Sequence, residues 1–185
     1  MQHVGRDDVV VHIGGKGSEG KLYKHDVDPE KVFFVDPLFD EGQEDKNCFG
    51  LCISDREGNV PVFVPENGAS WQNTSMFRSL AETDAPGIVV RSTTLDRFME
   101  ERGLDRIDLL ICNSEGGEYR MLSEGAPKDW IGKTRMVAID FHRGVMEENE
   151  EREAMDEAIA LLERHYDIER EDRGNYVAVF GRRKE

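Results

Sequence analysis

Val9-Val10-Val11-His12-Ile13 is β-branched and almost unbroken in its apolar character, the pattern of a strand covered on both faces in a parallel sheet. It leads straight into Gly14-Gly15-Lys16-Gly17. Lys31-Val32-Phe33-Phe34-Val35 repeats the pattern and stops at Asp36-Pro37, where proline excludes further pairing. Phe49-Gly50-Leu51-Cys52-Ile53 reads as a third strand, ended by Ser54-Asp55-Arg56-Glu57-Gly58-Asn59, a turn by composition. Residues 60–64 and 87–91 read as shorter strands around a polar loop over 66–75.

Helical spacing becomes visible in the second half. Thr93 is a candidate N-cap, with Asp96 three residues on and Leu95, Phe98 and Met99 on one face. Ile107-Asp108-Leu109-Leu110-Ile111-Cys112 is a buried strand, followed by Asn113-Ser114-Glu115-Gly116 and a short helix carrying Tyr119 and Leu122. Residues 136–142 form a further strand. Met155, Ala158, Ile159 and Leu162 then recur at helical spacing, so the acidic run over 147–157 reads as the solvated face of that helix. Strands over 166–170 and 176–180 are joined through Asp172-Arg173-Gly174-Asn175. A gap this short predicts a hairpin, because a parallel return needs a crossover of about a dozen residues or more.

This order predicts a Rossmann-like, open α/β sheet, mainly parallel with an antiparallel C-terminal hairpin, in a single domain over 1–185. In such sheets ligands bind beyond the carboxyl ends of the strands. The functional candidates are then the residues just after each strand: the glycine cluster, Asp36, Asp55, Asn113 to Glu115, and Asp140 to His142.

Composition narrows the partners. The 185 residues carry 24 basic and 39 acidic side chains, a net charge of −15 that disfavours nucleic acid and anionic membrane surfaces. No apolar run approaches the roughly 18 residues of a membrane helix, and the first residues lack a signal peptide's apolar stretch, so a cytoplasmic location is expected. Cys48, Cys52 and Cys112 are too few and too scattered for a disulfide framework and read as reduced thiols. The dispersed histidines provide no ligand-spaced pair for a metal.

A glycine cluster after a strand lets backbone approach a ligand and presents amide hydrogens to it. The phosphate-cradling Gly-Lys-Ser/Thr ending is missing. Asp36, about 20 residues on, is placed to accept both hydroxyls of a ribose. Together these features indicate a nucleoside-containing cofactor without separating a dinucleotide from S-adenosylmethionine. A nicotinamide-dependent oxidoreductase rests on the same glycines and Asp36, and the final hairpin argues against it.

Several ordered motifs resemble the FkbM-type methyltransferases. These are Thr94-Leu95-Asp96, Ile107-Asp108-Leu109-Leu110, and Ser114-Glu115-Gly116-Gly117-Glu118 running on to Gly125-Ala126, with Ile139-Asp140-Phe141-His142 behind them. In the first half, Val35-Asp36-Pro37, Ile53-Ser54-Asp55 with Gly58, and Gly68-Ala69-Ser70 agree. The resemblance implies an S-adenosylmethionine-dependent O-methyltransferase acting on a small hydroxylated acceptor such as a saccharide or natural product. It implies Gly14, Gly15, Gly17, Asp36, Asp55 and Asn113 around the cofactor. For such a reaction a base that takes the acceptor's proton would help, and His142, at the end of its strand, is the best-placed candidate, with Asp140 or Glu115 to orient it or hold acceptor hydroxyls. The chain departs from the family pattern where His12 replaces an acid, Ile111 a lysine and Asn113 an aspartate. Those departures define the alternative, a catalytically silent methyltransferase-like domain that binds a partner or glycan.

Overall fold

The structure is a computed structural model that describes residues 4–17, 27–39, 47–65, 74–77, 84 and 86–185. Its centre is a seven-stranded sheet in the order β3-β2-β1-β7-β8-β10-β9. The strands are β1 (Val10–Ile13), β2 (Val32–Val35), β3 (Cys48–Phe49), β7 (Ile107–Cys112), β8 (Thr134–His142), β9 (Tyr166–Asp172) and β10 (Tyr176–Arg183). β3, β2, β1, β7 and β8 pair in parallel, while β10 runs antiparallel to both β8 and β9. A smaller sheet, β4-β6-β5, is made of β4 (Cys52–Ile53), β5 (Gly58–Val62) and β6 (Ile88–Thr93).

The third strand of the sequence reading is therefore two. Cys48–Phe49 joins the main sheet beside β2, and the chain leaves it at Gly50-Leu51, so that Cys52–Ile53 pairs with β6 instead. β5 also starts earlier than the turn composition suggested, because Gly58 and Asn59 already pair with Ser92 and Arg91. Residues 68–70, part of the family resemblance, lie outside the described residues.

Helix α1 (Leu95–Arg102) is capped by Thr94, not Thr93, whose place is at the buried end of β6. The Thr94 hydroxyl accepts from Arg97 N at 3.2 Å, and Gly103 ends the helix at φ 63°. Helices α2 (Gly117–Leu122), α3 (Asp129–Lys133) and α4 (Glu148–Glu163) follow. α3 was not foreseen, since its five residues are too few to show a period.

Helices α1 to α4 put their apolar residues into one core. Phe98, Tyr119, Trp130 and Leu162 meet Val11, Leu110, Ile139 and Phe141 on one face of the sheet. The other face has a smaller cluster of Val10, Val27, Val32, Phe34 and Phe39. The acidic start of α4 is exposed as expected, except for Glu151, which is buried and accepts from Val145 N at 2.8 Å.

Candidate functional site

The carboxyl ends of β1, β2, β7 and β8 surround a cleft of about 520 Å³, within the roughly 300–1,000 Å³ of small-molecule sites. It opens where the strand order reverses between β1 and β7, the switch point at which ligands of such sheets bind. Gly14, Gly17, Asp36, Asn113, Glu115 and His142 all line it. Gly15, Asp55 and Asp140 do not.

The β1–β2 side is built by backbone. Gly14 turns at φ 76° and donates to Val35 O at 2.8 Å, while Asn113 N donates to Ile13 O at 3.0 Å. A Cβ on Gly14 would lie 1.8 Å from the Asn113 carbonyl oxygen, so only glycine permits this approach. Asp36 ties the loop down. Its carboxylate accepts from Lys16 N at 3.1 Å and Leu38 N at 2.9 Å, and the Lys16 ammonium donates to the Leu38 carbonyl. Gly15 serves packing, since a Cβ there would come within 2.9 Å of the Phe34 ring and 3.3 Å of the His12 ring.

His12 lies beneath this loop, 4% exposed, with its ring 5.9 Å from that of Phe34. Its Nδ1 has no hydrogen-bond partner. Burial pushes its pKa down to about 4, so the ring stays neutral at physiological pH.

The β7–β8 side is built by charged side chains. Glu118, at the start of α2, is 0% exposed and surrounded by donors. It accepts from Gly116 N at 3.0 Å, the Ser114 hydroxyl at 3.0 Å and His142 N at 2.8 Å. The same oxygen that takes the His142 amide lies 3.0 Å from His142 Nδ1. At the other end of the ring, Nε2 is 3.5 Å from the Glu115 carboxylate, which faces the cleft. The ring also lies 5.8 Å from that of Tyr176. Burial alone would lower the His142 pKa, but the Glu118 hydrogen bond and the charges of Glu118, Glu115 and Asp140 together raise it.

Glu118 is thus the group that touches His142 Nδ1, the place the sequence reading gave to Asp140 or Glu115. The sequence holds only a weak local signal for it, a carboxylate among Tyr119, Met121 and Leu122 on a short helix. Asp140 sits on β8 behind His142, and burial, ahead of its charged neighbours, raises its pKa. Asp55 turns away from the cleft, where it accepts from the Ser54 hydroxyl at 2.8 Å and pairs with Arg120 at 3.8 Å. Ser75, also unforeseen, reaches the cleft because its strand segment bridges Phe63, and its hydroxyl donates to the Glu115 carbonyl. Cys52 lines the cleft as a thiol, its pKa pushed up to about 12, mainly by burial. Among the described residues no cluster of side chains is suited to hold a metal ion, and no helix is long and apolar enough to cross a membrane.

The residues present fit a cationic, nucleoside-bearing cofactor. Gly14 and Gly17 bring loop backbone to the cleft wall, Asp36 and Glu115 offer carboxylates, and Leu51, Ile53, Val62 and Met76 add an apolar wall. The family model of the methyltransferase FkbM domain matches residues 2–170, and the chain belongs to that family. No curated protein and no solved structure matches it.

Proposed function

We propose that this member of the FkbM methyltransferase family is an S-adenosylmethionine-dependent O-methyltransferase for a small hydroxylated acceptor, such as a saccharide or natural product. The observation that carries the reading is the His142 imidazole, held by Glu118 with Nε2 toward the cleft that the glycine turn and Asp36 also line. S-adenosylmethionine, when bound, supplies an electrophilic methyl group. Gly14, Gly17, Asp36 and Asn113 would hold it, with Asp36 accepting from ribose hydroxyls.

The chain's own contribution is positioning and proton removal. Holding an acceptor oxygen in line with the methyl group avoids the entropy cost of a bimolecular encounter. His142 Nε2 then takes the hydroxyl proton, a step that contributes about 10²–10⁴-fold in general-base catalysis. The β10 residue Tyr176 and the neighbouring Asn175 line the same cleft, with Tyr176 beside His142.

One observation favours the silent alternative: His12, where the family has an acid, is neutral beneath the glycine loop, with its Nδ1 unpartnered. Calorimetry decides between the two. Heat of binding with S-adenosylmethionine and S-adenosylhomocysteine, followed by labelled methyl transfer in a screen of hydroxylated acceptors, is expected of the enzyme. Absence of both would leave the silent domain.

A further inference from the structure

The backbone between β7 and α2 is bent in a way that a simple loop does not require. Glu115 has φ 49°, the one non-glycine residue with positive φ among the described residues, and Gly116 follows at 101°. A residue with a side chain is strained in this left-handed region, where glycine is not. The strain is held in place. The Ser75 hydroxyl binds the Glu115 carbonyl, and Gly116 N donates to both Glu118 oxygens at 3.0 and 3.1 Å.

The result of this curl is that two carboxylates three residues apart reach opposite ends of one imidazole. Glu118 meets Nδ1 at 3.0 Å, and Glu115 stands 3.5 Å from Nε2. The two differ in solvent access: the Glu118 side chain is 0% exposed and that of Glu115 is 24% exposed. Because the Glu118 oxygen already takes the His142 amide, Nδ1 meets it as a donor, and the neutral ring keeps its lone pair on Nε2.

We propose that Glu118 and Glu115 act as a pair on His142: Glu118 is the positioning residue that keeps the proton on Nδ1 and turns Nε2 to the cleft, and Glu115 receives the proton that Nε2 takes from an acceptor hydroxyl. The inference rests on the methyl-transfer reading for the source of that proton. As the acceptor oxygen bonds to the methyl carbon, its O–H bond breaks and an N–H bond forms at Nε2. The proton then passes to the Glu115 carboxylate, which becomes a neutral acid and returns to carboxylate by releasing the proton to water. The distance of 3.5 Å is long for a hydrogen bond, so Nε2 stays open to an acceptor while Glu115 remains within reach.

The electrostatics agree. Burial raises the Glu115 pKa, the His142 charge lowers it, and Glu118 and Asp140 raise it again, bringing the carboxyl closer to an imidazole in basicity. Facing His142 are Glu118 from α2, Glu115 from the preceding turn, Asp140 from β8 and Tyr176 from β10, with Arg173 of the β9–β10 turn acting on Asp140.

The test is an NMR titration of the full chain with isotope-labelled histidine, the His142 signal being assigned by its loss in His142→Gln. The neutral ring is expected to carry its proton on Nδ1. Glu115→Gln should lower the titration midpoint and keep that tautomer, while Glu118→Gln should mix the tautomers. In methyl-transfer assays, the acid limb of the kcat profile should move down with the midpoint in Glu115→Gln, and kcat should fall about tenfold with KM little changed. An Nε2-protonated neutral ring in the wild type, an unmoved midpoint in Glu115→Gln, or an acid limb that ignores the midpoint would each overturn the proposal. If Glu118→Gln does not fold, the wild-type tautomer and Glu115→Gln decide alone. The titration needs neither cofactor nor acceptor, so a failure to detect methyl transfer would count against the enzymatic reading and not against the pairing of Glu118 and Glu115 on His142.

Discussion

Two histidines are buried at the carboxyl ends of the sheet, His12 at 4% and His142 at 8% exposure, yet their chemistry is opposite. His12, on β1, meets Phe34 and the glycine loop and has an unpartnered Nδ1; its pKa is pushed down to about 4. His142, on β8, lies between Glu118 and Glu115 and its pKa is raised. Burial is nearly equal, so burial does not decide the charge. The partners do, and the cleft therefore has one side shaped by backbone and a neutral ring and another shaped by ionisable side chains.

The sharpest way to break this contrast is to remove the His142 imidazole. His142→Gln is expected to lower kcat by about 10²–10⁴-fold, the range of a general base, while calorimetry shows cofactor affinity within a few-fold of wild type. Equal loss of both would mean that the two sides of the cleft are not separate. On the β1 side, Gly14→Ala forces a Cβ to 1.8 Å from the Asn113 carbonyl oxygen at φ 76°. This should cost about 2–4 kcal/mol, read as a melting temperature lower by roughly 5–10 °C, with cofactor binding lost.

How far this contrast could be read from the residues alone differs between the sides. Strand ends are local: β-branched runs stopping at glycine, at Asp36-Pro37 and at Asn113 give the sheet and most of the cleft wall directly. Glu118 was not legible as a site residue, because the histidine it bonds lies twenty-four positions away. The break at Gly50-Leu51 was hidden for a similar reason. Phe49 and Cys52 are both apolar, and only their different partners, Val35 and Ser92, send them to different sheets. Asp55 matched a motif, but its local pattern could not reveal that it pairs with Arg120 and stands outside the cleft lining.

The histidine contrast also predicts opposite responses to pH. His12 has a folded pKa below its unfolded value, so its contribution to stability is present above about pH 6.5 and is lost as pH falls toward 4, on the order of 3 kcal/mol. His142 has a raised folded pKa, so its contribution is full below the unfolded value and is lost as pH rises through the folded one. His12→Leu keeps the contact with Phe34 and removes the unpartnered nitrogen. Chemical denaturation should then show a flatter acid limb, and at neutral pH a gain of about 1 kcal/mol. An unchanged slope between pH 6.5 and 4 would place the acid sensitivity elsewhere.

The smallest effect tests which neighbour holds His142. The Tyr119 hydroxyl donates to the His142 carbonyl at 2.9 Å, and its ring packs edge-on against Phe141 at 5.6 Å. Tyr119→Phe keeps the ring and leaves a buried carbonyl short of one donor, which should cost about 1 kcal/mol in denaturation. The carbonyl belongs to the backbone of β8, whereas the imidazole is held by Glu118 through both its Nδ1 and the residue's own amide. Tyr119→Phe should therefore lower stability and leave the acid limb of the kcat profile where it was. A shifted acid limb would mean that the ring's orientation depends on the strand backbone as well as on the Glu118 carboxylate, and that the ionisable side of the cleft extends through α2 to its tyrosine.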